Sequence, residues 1–260
     1  LPNTDFTTLG FNIPTFPVTA APGGERSFPD STAGFDIPTA TTTAAPSGVP
    51  DLPEFVAAFT ITNSEIPRGV ATDGTDFWVI SDNTGSGSTD RILRFTSAGA
   101  ATGTPILSPT SDLEGIAFLN NKLWIVENRF RCFDPIDSTR CDRGHRVFEL
   151  DPASPPAGTE AAWGALTNFA APDTFESIGG ITAEGGGSSG TLWLAAEFGF
   201  RFYNLSQTGS EIDSPFTDSF IDGMDGLAIS GAFLYTSKGQ KITQWTKQGA
   251  RVQEFSAIVD

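Results

Sequence analysis

Carboxylates recur at matched places along this 260-residue chain, and oxygen ligands gathered from separate segments are the chemistry it offers most readily. Glu114 and Asp225 each precede a glycine, in Glu114-Gly115-Ile116-Ala117 and Asp225-Gly226-Leu227-Ala228. Asp82, Glu127 and Glu197 stand at the ends of three apolar runs, each of which holds a Trp. Calcium takes about six to eight oxygens, so Asp82, Glu114, Glu127, Glu197 and Asp225 are the candidate ligands if their segments converge. Lys238 fills the corresponding place in a fourth run and breaks the symmetry of any cage. Hydrogen bonding to loop amides and to Arg68 is the plainer reading of the same residues. A catalytic constellation is harder to find. His145 is the single histidine and reads as a surface residue. No nucleophile elbow, zinc-protease motif or P-loop is present. The Gly-rich run 185–190 joins two strands instead of opening a helix, so it makes a hairpin loop and no phosphate cradle. No catalytic residue is assigned, and the balance leans away from an enzyme.

Cys132 and Cys141 are the two cysteines. A close pair in a polar loop reads as a disulfide in an exported protein. Adding His145 gives three metal ligands, one fewer than a structural zinc site takes, so the disulfide is preferred. The same loop holds Arg129, Arg131, Arg140, Arg143 and Arg146 in a chain with 31 acidic and 15 basic side chains. Pairing with Asp134, Asp137 and Asp142 is one reading, and worth little at a surface. A basic knob that docks on an acidic face of a partner is the other. A formal charge of −16 argues against nucleic acid, whose phosphates need Lys and Arg, and against a polybasic membrane surface. No apolar run reaches transmembrane length.

These residues are positioned by a repeat. Arg68-Gly69-Val70-Ala71, Glu114-Gly115-Ile116-Ala117, Gly179-Gly180-Ile181-Thr182 and Asp225-Gly226-Leu227-Ala228 each open a copy, with leading glycines at 69, 115, 180 and 226. A second run follows each: Phe77-Trp78-Val79-Ile80, Leu123-Trp124-Ile125-Val126, Leu192-Trp193-Leu194-Ala195 and Phe233-Leu234-Tyr235-Thr236. Third runs begin at Arg91, Arg146, Arg201 and Lys241, and weaker fourth strands are expected at 104–107, 161–166, 211–216 and 251–258. Four short antiparallel strands per unit make a β-propeller blade. The fold class is therefore all-β, a propeller of about four to five blades, with copies near 54–107, 108–166, 167–216 and 217–260. Residues 54–61 resemble one further outer strand. Three readings stay open for it: four blades close tightly, the tail supplies a degenerate fifth, or the chain is part of a longer one.

Residues 1–53 form a separate Pro/Thr/Ala-rich arm, in which Gly10-Phe11-Asn12-Ile13-Pro14-Thr15 returns as Gly34-Phe35-Asp36-Ile37-Pro38-Thr39. Such proline content forbids helix and favours extended backbone. It is a flexible linker, or an arm that lies on another surface. Phe11, Phe16 and Phe35 point to the second, since pure linkers avoid large apolar groups.

The copies resemble the NHL-type and gluconolactonase-like propellers. The run from Asp112 to Ala117, taken with Leu123-Trp124-Ile125-Val126-Glu127-Asn128-Arg129, is similar to the esterase-like phytase propellers. The resemblance covers residues 54–260 and implies the fold, together with two kinds of activity. One is calcium-dependent hydrolysis of phosphate esters or lactones; the other is non-catalytic binding. The dense carboxylate and Lys/Arg cluster of a phytase-type phosphate site is missing. The expectation is a secreted, extracellular or cell-surface propeller that binds or self-assembles, as in a filament or surface layer. Its partners are identical subunits or another extracellular protein. Phe11, Phe16, Phe35, Arg129, Arg131, Arg140 and Arg143 are its contact residues. Calcium is the one cofactor in view, and a calcium-dependent hydrolase is the alternative.

Overall fold

The computed structural model describes residues 36–41, 54–60, 65–83, 89–128, 131–132, 141–142, 145–171, 178–196, 201–217, 226–239 and 241–256. Of the strands at 36–41, 54–60, 131–132 and 141–142 it describes the backbone alone. The chain is a four-bladed β-propeller, as the repeat implies. A hairpin of β1 (Asp36–Thr41) and β2 (Glu54–Thr60) comes first. Blade one follows, with β3 (Glu65–Thr72), β4 (Asp76–Asn83), β5 (Arg91–Thr96) and β6 (Ala101–Leu107). Blade two has β7 (Leu113–Leu119), β8 (Lys122–Glu127), β11 (Arg146–Leu150) and β12 (Asn168–Ala170). Between β8 and β11 it carries a separate two-stranded ladder, β9 (Arg131–Cys132) with β10 (Cys141–Asp142). Blade three is β13 (Ile178–Glu184), β14 (Thr191–Ala196), β15 (Arg201–Ser206) and β16 (Phe216–Thr217). Blade four is β17 (Gly226–Ser230), β18 (Phe233–Lys238), β19 (Lys241–Thr246) and β20 (Arg251–Ser256). Each blade is an antiparallel meander, and no described helix is long and apolar enough to cross a membrane.

The leading glycines explain how blades meet. A Cβ on Gly69 would lie 3.1 Å from the Glu114 carbonyl oxygen, one on Gly115 3.1 Å from the Ile181 nitrogen, and one on Gly180 2.9 Å from the Leu227 nitrogen. Each inner strand thus presses its backbone on the next, an approach that only a residue without a side chain allows. The series stops at Gly226, whose Cβ would meet, among the described residues, only Ser237 of its own blade. The inner strands pack as β3 on β7, β7 on β13 and β13 on β17. Among the described residues β17 and β3 form no comparable seam.

Away from the axis the seams widen and large side chains fill them. Trp78 and Ile80 of blade one pack with Ile116, Leu123 and Ile125 of blade two. Trp124 packs with Ile181, Leu192 and Leu194 of blade three, and Trp193 with Leu227, Leu234 and Trp245 of blade four. Each second-strand Trp faces the following blade. Tyr235 takes the same register in blade four, paired with Ala228 as Trp78 is with Ala71.

Two expectations are corrected here. Residues 161–166 are no strand: a short helix, α1 (Glu160–Gly164), begins at Thr159, whose hydroxyl accepts the Ala162 N–H, and the outer strand comes later, as β12. Trp163 of that helix stands edge-on to Phe148, 5.5 Å between centroids, and its Nε1–H donates to the Leu107 carbonyl at 3.1 Å. Helix α1 therefore plugs the seam between blades one and two. In blade three the outer strand is shorter than 211–216: Glu211 makes an isolated bridge to Leu205, and β16 starts only at Phe216.

Candidate functional site

The inner strands share a second feature that sets the rim of the propeller. Their ladders break register between Pro67 and Gly69, Leu113 and Gly115, and Ile178 and Gly180. The extra residue is Arg68, Glu114 or Gly179 in turn. A bulge frees its residue from the alternation of the strand and re-aims the side chain. Arg68 and Glu114 are accordingly displayed at the same end as the tip of β4, which carries Asp82. The Arg68 guanidinium donates to Asp82 Oδ2 at 3.0 Å. Burial works against the Arg68 charge, but the Asp82 bond and the nearby Glu114 and Asp90 carboxylates hold its pKa above the ordinary guanidinium value.

Asp90 is the centre of this cluster, and it is 1% exposed. Its backbone N–H donates to the Thr110 carbonyl and its own carbonyl accepts the Ser108 N–H, each at 2.9 Å. Its Oδ2 accepts the Leu113 N–H at 2.8 Å, while Oδ1 is buried with no hydrogen-bond partner among the described residues. Burial pushes its pKa up most, the Leu113 N–H opposes, and the charges of Asp82, Asp112 and Glu114 add to the rise, to about 7. Folding the 108–113 connection over a carboxylate buries it with a single donor among the described residues, so it keeps its proton far above the usual carboxylate range. The arrangement can hold a proton near neutral pH, and it places three carboxylates, Asp82, Asp90 and Glu114, around one guanidinium.

The sequence-based residues fall out as follows. Asp82 and Glu114 join this cluster through Arg68 and Asp90. Glu127 is 4% exposed, at the end of β8 opposite Leu113. Glu197 and Asp225 lie outside the described residues, as do Phe11, Phe16, Phe35, Arg129, Arg140 and Arg143. Among the described residues no three His, Cys, Asp or Glu side chains come together to hold a metal. Asn128, beside Glu127, is a clasp between blades: its Nδ2 donates to the Ile178 carbonyl and its Oδ1 accepts the Ile178 N–H, both at 3.0 Å. His145, expected at the surface, is buried at 6% exposure, and its carbonyl accepts the Ala171 N–H, extending the β11–β12 pairing by one bond. Asp90 was missed. It lies next to a Ser/Gly-rich stretch with no motif of its own, and its burial is created by a segment about twenty residues downstream. Cys132 and Cys141 are direct register partners across the β9–β10 ladder, and Arg131 pairs with Asp142 beside them.

The opposite rim is structural. Trp78 Nε1–H donates to Asp73, and Arg94 bonds Asp76 Oδ2 at 2.7 Å while its guanidinium sits 5.0 Å from the Trp78 ring centroid. On blade three Trp193 Nε1–H donates to Glu184, which also takes Lys247 of blade four.

No family model matches the chain, and no curated protein matches it. Solved structures with a similar course of chain include a protein of unknown function from Bacteroides caccae, at 10% identity and a TM-score of 0.45, covering 79% of this chain and 66% of that one. A chain of the mitotic checkpoint complex matches at 13% identity and a TM-score of 0.44, over 79% of this chain and 57% of its own. Virginiamycin B lyase from Staphylococcus aureus matches at 16% identity and a TM-score of 0.41, over 73% of this chain and 69% of the lyase. The present chain thus spans about two thirds of the first of these and less of the second.

Proposed function

We propose that this propeller is a binding and self-assembly module of the extracellular space, with the Arg-rich loop of blade two as a docking knob and the Pro/Thr-rich arm as a second contact. One observation supports the reading above others: Cys132 stands directly opposite Cys141 in a two-residue ladder set apart from the blade sheet. Direct antiparallel partners have their Cβ atoms about 4.5–5.5 Å apart, within reach of the shorter separation that a disulfide draws them to. A bridge there closes the base of a loop that carries Arg140, with Arg129, Arg131 and Arg143 flanking it. Such a bond persists in an oxidising compartment. Across 129–146 the sequence carries five Arg against three Asp on a chain of net charge −16, a local excess of positive charge suited to the acidic surface of another copy. The NHL-type likeness agrees with a binding role. Light scattering on the full chain tests this. The native protein is expected to associate at low salt, and replacing Arg129, Arg131, Arg140 and Arg143 by Glu is expected to return it to monomer. A native chain that stays monodisperse at every salt concentration defeats the proposal.

The Asp90 cluster supports a second reading, a calcium-dependent hydrolase of phosphate esters or lactones. Asp90 Oδ1, buried with no partner among the described residues and within the field of Asp82, Asp112 and Glu114, is the kind of group a hard cation satisfies, although no three of these side chains come together as a ligand set among the described residues. Bound calcium supplies polarisation of an ester or phosphoryl oxygen. The chain's own contribution is Asp82 and Glu114, oriented by Arg68 and by the inner-strand bulge. Calorimetry with calcium alone, followed by generic phosphoester and lactone substrates, decides it, and the absence of both heat and turnover removes it.

A further inference from the structure

Each outer strand seats one side chain on the blade that follows. Leu107 of β6 lies on Gly158, Phe169 of β12 on Gly209, and Phe216 of β16 on Gly249, so closely that an added Cβ would fall 2.6, 2.5 and 2.5 Å from the respective side chain. The turns at Gly209 and Gly249 are built alike. In each a glycine of positive φ donates back to the residue three before it, at 3.0 Å, and the flanking residues close a further bond, Ser206 N–H to Ser210 and Thr246 N–H to Ala250, both 2.8 Å. Blade one has the same turn. Gly99 has φ 80°, its N–H donates to Thr96 at 2.9 Å, and Thr96 N–H donates to Ala100 at 2.9 Å. Its cap has to come from a strand that precedes blade one.

The end face of blade one is apolar to match. Val79 and Phe95 pack there with Val70, Phe77 and Leu93, on the side turned away from blade two, and among the described residues this cluster includes none of another blade. Val79 is nevertheless fully buried and Phe95 only 7% exposed. The outward face of blade four is different in kind: Gln244 donates to the Tyr235 hydroxyl at 2.8 Å and accepts from Gln253 at 2.6 Å, a polar ladder across three strands. The end that calls for an apolar cover is blade one.

We propose that β2 is the outer strand covering blade one, with Phe59 at the chain position that Phe169 and Phe216 hold before blades three and four, and that the β1–β2 hairpin serves as a half-blade supplied by this same chain. The spacing agrees: Phe169 stands 11 residues before Gly180, Phe216 stands 10 before Gly226, and Phe59 stands 10 before Gly69. The pairing agrees as well. Antiparallel β1 and β2 have the arrangement of the outer pair in a blade, as β15 with β16 and β19 with β20. Four residues separate Thr60 from Glu65, so β2 ends within roughly 18 Å of the start of β3 and stays near its own blade one. The occupant is therefore intramolecular, and it covers apolar surface that would otherwise recruit a second molecule.

Hydrogen exchange on the full chain tests this, comparing Phe59→Ala with Val252→Ala, a substitution of an exposed apolar residue on blade four. Phe59→Ala is expected to lose at least tenfold protection across 66–100 while 201–250 keeps its own, and Val252→Ala to behave as the native chain. Equal exchange in the two variants overturns the proposal. If Phe59→Ala yields no folded protein, Phe59→Leu, Phe95→Leu and their double are compared by melting. A non-additive shift supports the contact, and strict additivity overturns it.

Discussion

Asp90 Oδ2 takes the backbone N–H of Leu113 at 2.8 Å, and through this bond the loop before β5 holds the first residue of the next blade's inner strand. The other carboxylate oxygen is buried without a partner among the described residues. The junction of blades one and two therefore depends on a carboxyl group that favours its neutral form, with a folded-state pKa of about 7. In the unfolded chain the same group titrates near the ordinary 3.8. Between these values the folded protein holds a proton that the unfolded one has released. The Asp90 contribution to stability is complete below about pH 4 and is lost as pH rises towards 7. Melting temperature measured from pH 4 to 8 should fall over that window. Asp90→Asn keeps an acceptor for Leu113 and removes the titration, so its profile should be flatter, with no loss of stability at pH 8.

Gly249 gives a test of the seam between blades three and four. Its φ is +89°, and the Phe216 ring occupies the place of a side chain. Gly249→Ala meets both obstacles. Gly74 has φ +87° and open space around it, so Gly74→Ala meets the backbone strain alone, about 1–2 kcal/mol. Thermal unfolding should rank Gly249→Ala clearly below Gly74→Ala, and the difference measures how tightly Phe216 is held.

Arg94 joins Asp76 and the face of Trp78, whose ring N–H is in turn held by Asp73. The guanidinium sits over the indole while bonding a carboxylate whose side chain is only 11% exposed. Arg94→Lys keeps the charge and loses the delocalised guanidinium over the ring, so chemical denaturation should show a loss of about 0.5–1 kcal/mol, and Arg94→Ala a larger one.

Trp163 ties blade two to the outer edge of blade one through the Leu107 carbonyl. Trp163→Phe preserves most of the ring against Phe148 but strands that carbonyl, at a cost of roughly 1–2 kcal/mol. Trp163→Ala also opens a cavity at a site only 2% exposed and should cost roughly 3–5 kcal/mol by denaturant titration.

Much of this architecture is written in glycine. Gly69, Gly115 and Gly180 are legible because a close backbone seam tolerates nothing else, and their Trp partners because a widening seam needs bulk. The outer strand of blade two was misplaced because 161–166 is as apolar as a strand. The signal against it was present in Thr159-Glu160, a helix start with a capping hydroxyl and an acid in the first turn. At the site, Arg68, Asp82 and Glu114 could be marked from the repeat. The bulges that re-aim two of them could not, because a one-residue slip leaves no trace in residue type. Asp90 was invisible for a related reason: its neighbours 108–113 reach it only through the path of the chain between blades.

The seam that recurs at Gly69, Gly115 and Gly180 makes blades two and three each both socket and plug for its kind. Duplicating the coding segment for one of these would insert a piece already shaped for the neighbours on either side. Descendants of such a chain can differ in copy number while the joint itself stays constant, and selection is left free to act on the tips of the strands.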